Sequence, residues 1–211
     1  MVEELTNLDP ERIRANLERV RERAGEGVEV LAATKYVPSD EMGALAEAGV
    51  TIVGENRLQD LERKHERWGD RFKWDFIGNL QSRKVKGILP LARLIHSVAT
   101  ESVLAQLGKH GGPDTSVLVE VNLAGEQSKG GVPPEGLGEF IARCPVRVEG
   151  LMTMPPFAED PEQSRPYFAR LATLAAEHGL KTLSMGTSQD WPVAVDEGAT
   201  IIRVGMTLYD S

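Results

Sequence analysis

The sequence has a single cysteine, Cys144, so it can close no internal disulfide, and a reducing, cytoplasmic setting is expected. Cys144 precedes Pro145 at a helix-to-strand junction and reads as a small buried hydrophobe. No apolar stretch approaches membrane-spanning length. The amino-terminal MVEELTNLDPERIRANLERV is charged throughout and lacks the apolar centre of a secretory signal. Positive charge is not in excess: 24 Lys and Arg stand against 32 Asp and Glu, a net −8, which argues against a nucleic-acid-binding surface. No G-x-G-x-x-G follows the first predicted strand, which weakens a dinucleotide fold. No cluster of His, Cys and Asp has metal-ligand spacing. No long linker, low-complexity segment or internal repeat interrupts the 211 residues, which suffice for one sizeable core and are short for two. One domain over 1–211 is therefore expected.

What is present is an alternation. Asp9 and Pro10 open a helix as N-cap and first helical residue, Ile13, Leu17, Val20 and Ala24 mark its apolar face, and Gly25 ends it. Predicted strands follow at Val28–Thr34, Thr51–Gly54, Trp74–Gly78, Leu94–Val98, Ser116–Asn122, Val148–Met154, Thr182–Met185 and Ile201–Gly205. Between them lie helical stretches near Ser39–Ala48, Asn56–Trp68, Gln81–Leu91, Glu101–Lys109, Pro134–Arg143, Pro161–His178 and Gln189–Glu197. The strands read as continuous apolar runs, as parallel strands covered on both faces do. About eight βα units suggest an α/β fold closed into a (β/α)₈ TIM-type barrel, with an open doubly wound sheet as the alternative.

In such a barrel chemistry gathers where the strands end, and the ends here are polar almost throughout. Lys35 closes the first strand, just after VEVLAAT. A lysine leaving a core is either one that reaches solvent along its stem or, if desolvated, an amine able to condense with an aldehyde. The second strand ends in Gly54-Glu55-Asn56-Arg57, the fourth in His96-Ser97, the fifth in Glu120-Val121-Asn122. The seventh ends in Ser184-Met185-Gly186-Thr187-Ser188 and the eighth in Arg203-Val204-Gly205. Gly186 and Gly205 permit close approach of backbone N–H groups to an anion, and Ser188 is placed to cap the next helix. The same residues also suit plain turns. An anion site beside an electrophile-trapping lysine suggests a phosphorylated aldehyde, with pyridoxal 5′-phosphate (PLP) as the natural candidate. Glu55 and Arg57 read as a solvated or salt-bridged helix start. His96 reads equally as a pocket residue or a hydrogen-bonded strand end.

These residues sit in LAATKYVP, VGENRLQD, WDFIGNLQSRKVK, IHSV, VLVEVNLAGEQSKGGV, VEGLMTMPP and LSMGTSQDWPVAVDEGATIIRVG. In this order the chain resembles the pyridoxal phosphate homeostasis protein family, from about Ile13 to Tyr209. The resemblance implies a fold-type III, alanine-racemase-like barrel with no C-terminal β-domain. It implies PLP held as an imine on Lys35, and a role in storing or delivering the cofactor without robust turnover. An amino-acid racemase of the same fold is the alternative. By the same resemblance Asn56 lies near the cofactor, Ser184, Gly186, Ser188 and Gly205 hold the phosphate, and Arg203 faces the pyridine nitrogen. The implied partners are PLP and apo PLP-dependent enzymes, with no nucleic acid or membrane, and a monomer is expected. Met206 stands where the family usually has a hydroxyl residue. Thr207, one place later, would point the other way on a strand, so a phosphate hydrogen bond is expected to be lost or moved. The last barrel helix is expected to be short or absent, with the N-terminal helix covering part of the gap.

Overall fold

Eight parallel strands close a barrel in the order β1 (Glu29–Ala33), β2 (Ile52–Glu55), β3 (Lys73–Phe76), β4 (Leu94–Val98), β5 (Ser116–Glu120), β6 (Arg147–Met152), β7 (Thr182–Thr187) and β8 (Ile201–Val204). The computed structural model describes residues 4–125 and 130–210, so 126–129 of the VLVEVNLAGEQSKGGV motif lie outside the described residues. Pairing of Val30 with Ile202 and Leu31 with Arg203 joins the first strand to the last, which excludes the open sheet. Each strand matches a predicted one within one to two residues.

Helix α1 (Pro10–Ala24) precedes the barrel, and the Asp9 side chain accepts the Glu11 N–H at 3.0 Å as its N-cap. The connecting helices are α2 (Met42–Glu47), α3 (Leu58–Trp68), α4 (Val85–Ile88), α5 (Glu101–His110), α6 (Leu137–Arg143), α7 (Arg165–Glu177) and α8 (Trp191–Asp196). Several open with a 3₁₀ turn, as at Ser39–Glu41 and Pro134–Gly136, so the α-helical part is shorter than the predicted stretch. After β8 comes one turn, α9 (Met206–Tyr209). Asn16 of α1 donates through Nδ2 to the carbonyls of Leu208 and Asp210, both at 3.0 Å, which satisfies backbone acceptors that a longer helix would have used. The N-terminal helix therefore does cover the gap. No helix among the described residues is long and apolar enough to cross a membrane.

Most of the buried apolar side chains lie between the strands and the helices. A second, smaller cluster takes one residue from each of six strands: Leu31, Ile52, Leu94, Leu118, Met152 and Ile201. It fills the barrel interior. The other two strands contribute polar groups at this level: Asp75 is in register with Leu94, and Ser184 with Met152 and Ile201. Alternation along a strand turns Ala33, His96, Glu120 and Arg203 the same way, toward the carboxyl mouth. The apolar plug thus gives way to a polar upper layer.

Candidate functional site

A cavity of about 280 Å³ opens at the carboxyl mouth, and Lys35, Asn56, Ser188, Arg203, Gly205 and Met206 line it. Lys35 follows β1 in a turn and is exposed, its Nζ 4.6 Å from the centre of the Tyr36 ring. The strand carries this lysine clear of the core rather than burying it. The backbone beneath Lys35 is fixed from two sides. The Tyr209 hydroxyl donates to the Ala33 carbonyl at 3.2 Å. Thr34 Oγ1 donates to Glu55 Oε1 at 2.6 Å, and Lys64 Nζ donates to the Thr34 carbonyl at 2.8 Å while forming an ion pair with Glu55. Glu55 and Lys64 are both fully buried. Glu55 is therefore not a solvated helix start: it is the partner of a lysine that α3 drives inward.

Asn56 lies across the cavity with its Oδ1 buried and without a hydrogen-bond partner. An orphaned acceptor at a cavity wall matches a donor brought by a ligand. Arg203 is buried, and the guanidinium is gripped on three sides. Nη1 donates to Ser184 Oγ at 2.5 Å, and Nη2 to the Thr153 carbonyl at 3.0 Å and Met154 Sδ at 2.9 Å. Burial pulls its pKa down to about 10, against the opposing charges of Asp190 and Glu120, so it remains a cation at pH 7. Burial pushes the Glu120 carboxyl up, and the charge of Arg203 draws it back.

Ser188 is the hub of the strand-seven and strand-eight loops. Its Oγ accepts the N–H of Gly205 at 2.9 Å and of Thr207 at 3.3 Å. Thr207 Oγ1 donates to the Ser188 carbonyl at 3.3 Å. Two backbone donors therefore converge at the cavity edge on one small oxygen acceptor. Met206 lines the cavity and Thr207 does not, as expected, but the cause is a helical turn rather than strand alternation: β8 ends at Val204, and the turn 206–209 carries Thr207 to a neighbouring cavity beside Asn16. Met206 is 39% exposed at the cavity. Ser188 does not cap α8, whose N-cap is Asp190. Asp190 instead shapes the loop: Oδ1 accepts from Thr187 N–H at 2.8 Å and Oδ2 from Ser164 Oγ at 2.8 Å.

Two expected phosphate residues stand elsewhere. Ser184 is fully buried and does not line the cavity; its hydroxyl is engaged by His96 Nδ1 at 2.8 Å and by Arg203. Gly186 is required by packing. It has φ +88°, and a Cβ there would come within 2.6 Å of Ala194 Cβ and 2.9 Å of Trp191 Cα on α8. His96 is fully buried and spans Ser184 and Asp75, with Nε2 3.1 Å from Asp75 Oδ2. The polar path continues to Arg93, which donates to both oxygens of Asp75 and both of Glu29. Arg93 and Glu29 line a second cavity of about 450 Å³ at the amino mouth. The charges of Arg93, Glu29, Arg147 and Glu149 there are already paired with one another.

The cavity at the carboxyl mouth meets the needs of a phosphorylated pyridine aldehyde: an amine at Lys35, backbone donors at Gly205 and Thr207, a fixed cationic donor at Arg203 and a free acceptor at Asn56. Residues 8–211 match the family model described as alanine racemase, N-terminal domain. The pyridoxal phosphate homeostasis protein of Aquifex aeolicus is 41% identical over 94% of this chain and 96% of its own. That of Pseudomonas aeruginosa is 35% identical over 86% of this chain and 84% of its own. The structure of PipY from Synechococcus elongatus with PLP bound superposes with a TM-score of 0.81 at 30% identity, covering 93% of this chain and 99% of that one.

Proposed function

Because the chain belongs to the pyridoxal phosphate homeostasis protein family, we propose that it binds PLP at the carboxyl mouth of the barrel and takes part in keeping the cofactor available inside the cytoplasm. The observation that carries this reading is the convergence on one cavity of Lys35, Arg203 and the Ser188 hub with its two backbone N–H donors. When bound, the cofactor supplies an aldehyde that reacts reversibly with amines and a ring able to take up electron density. Lys35 would hold it, its amine being the cavity group able to condense with an aldehyde. Gly205 and Thr207 would donate to the phosphate where Ser188 Oγ gives way; where it stays, Ser188 would instead donate its own hydroxyl hydrogen to the phosphate while still accepting both N–H groups. Asn56 accepts from the nearest donor. Ser184 and Gly186 act behind the wall, one holding Arg203 and the other admitting α8 to the back of the loop.

Arg203 faces the pyridine nitrogen and, being a cation, only donates there. A ring nitrogen accepting from this cation would carry no proton of its own, so Arg203 would limit how much electron density the bound ring takes up. We infer that amino acids react with the site without sustained turnover, and that residues 1–211 act as one cofactor-binding domain. We further propose that the chain works as a monomer and that its partners are apo PLP-dependent enzymes that receive the cofactor.

The test is an absorption spectrum of the PLP-loaded protein before and after borohydride reduction, followed by peptide mass spectrometry. The adduct is expected on Lys35, and Lys35→Ala is expected to lose the visible band while keeping its fold. An adduct on Lys84 in place of Lys35 would overturn the assignment.

A further inference from the structure

The cavity wall does not explain the deepest polar feature of the molecule. Asp75, His96 and Ser184 are buried in the barrel interior, on three different strands, and join end to end behind Arg203. Buried polar groups are retained at a cost unless each is satisfied, and here each is. Their order also has a direction. Burial alone would raise the Asp75 carboxyl, but the hydrogen bonds from Arg93 and His96 hold it below the ordinary range, so it is ionised. Burial likewise keeps His96 neutral, against the pull of Asp75. A carboxylate only accepts, so the one ring hydrogen of neutral His96 belongs on Nε2, facing Asp75 Oδ2 at 3.1 Å. Nδ1 is then an acceptor, and the Ser184 hydroxyl donates to it at 2.8 Å. That leaves the Ser184 oxygen lone pairs for the Arg203 Nη1 hydrogen at 2.5 Å. The reverse tautomer would set a lone pair against Asp75 and aim two N–H groups at Ser184 Oγ.

We propose that Asp75, His96 and Ser184 are positioning residues that fix Arg203 through one directional chain: Asp75 selects the His96 tautomer, His96 orients the Ser184 hydroxyl, and Ser184 holds the guanidinium in the cavity wall. The chain is anchored at the opposite mouth by Arg93, which keeps Asp75 ionised from behind and is itself held by Glu29. A cation in a barrel interior would otherwise swing toward water or toward Glu120. Held on three sides, it presents its remaining edge to the ligand without reorganising. The consequence for PLP rests on the binding reading above; the tautomer does not.

The direct test uses cofactor-free protein labelled with ¹⁵N-histidine at pH 7.5, with His96 assigned by its absence in His96→Gln. A single Nε2–H tautomer is expected for His96, shifted toward Nδ1–H in Asp75→Asn. A wild-type His96 protonated on Nδ1, or exchanging between tautomers, would overturn the chain. The second arm titrates PLP into wild type, His96→Gln and His96→Leu, each checked by thermal melting. A Gln amide can donate to Asp75 and accept from Ser184, so it should stay within about threefold of wild type, while Leu should lose about tenfold or more and shift the band of the bound cofactor. An unshifted band and unchanged affinity in the Leu variant would reject the positioning role. Failure of wild type to take up PLP would instead sink the binding reading, and the tautomer result would still decide the chain.

Discussion

Lys35 depends on a residue that never touches the cavity. Lys64 leaves α3 and ends against the Thr34 carbonyl and Glu55, with no solvent around it. Two charges in such a place gain little over an apolar pair, but removing one partner strands the other. Lys64→Met should therefore destabilise the protein by about 3–5 kcal/mol, read from urea unfolding, because Glu55 is left charged and buried. The double variant Lys64→Met with Glu55→Leu should recover much of that loss, as replaced buried ion pairs do. It should not recover PLP affinity, since Thr34 then loses two of its holds and the turn carrying Lys35 is freed. Full recovery of both would show that the pair has no part in presenting Lys35. The sequence hides this arrangement. LQDLERKHERW reads as a solvated helix with a lysine like its neighbours, and only the meeting of α3 with the ends of β1 and β2 singles Lys64 out.

At the scale of elements, two glycines that look alike in the sequence do different work. Gly186 accommodates α8, and Gly205 faces the cavity, where a Cβ would meet only Ala33 at 3.6–3.7 Å. Gly186→Ala should cost about 1–3 kcal/mol in stability, through strain at a positive φ and overpacking against α8, and should displace the Ser188 hub with it. Gly205→Ala should melt near wild type. Phosphate contacts can be measured directly by comparing PLP with pyridoxal: charge-assisted hydrogen bonds are worth about 1.5–3 kcal/mol each, so two of them predict a loss of about a hundredfold or more for pyridoxal. Equal affinities would make the two loops ordinary turns. The barrel itself was legible because parallel strands covered on both faces leave unbroken apolar runs, and because strand ends collect polar residues. Lys35, Asn56, Ser188, Arg203 and Gly205 line one cavity. Ser184 does not, since strand alternation turns it into the interior, where a register between β6, β7 and β8 decides its partners. Thr207 does point away from the cavity that Met206 lines, but through a helical turn that the strand rule does not describe, since the strand stops at Val204.

Across the whole molecule, the interior polar chain makes stability depend on pH. The ordinary pKa of His96 is 6.5, and burial lowers it in the folded protein. Below pH 6.5 the unfolded chain therefore binds a proton at this residue that the folded protein refuses, and stability falls as pH falls. Asp75 acts in the same direction lower down. The folded protein holds it below its ordinary value of 3.8, against burial and through Arg93 and His96, so its contribution is full above that value and is lost as pH falls through the folded pKa. The two groups are one coupled system, which predicts a two-stage acid loss rather than a single step. Thermal midpoints measured from pH 7.5 to pH 3.5 should decline first between about pH 7 and 5 and again below about pH 4. His96→Gln carries the same donor and acceptor with nothing to titrate, so it should flatten the first decline and leave the second. A first decline that persists unchanged in His96→Gln would place the sensitive group elsewhere, and the interior chain would then have no part in the acid response.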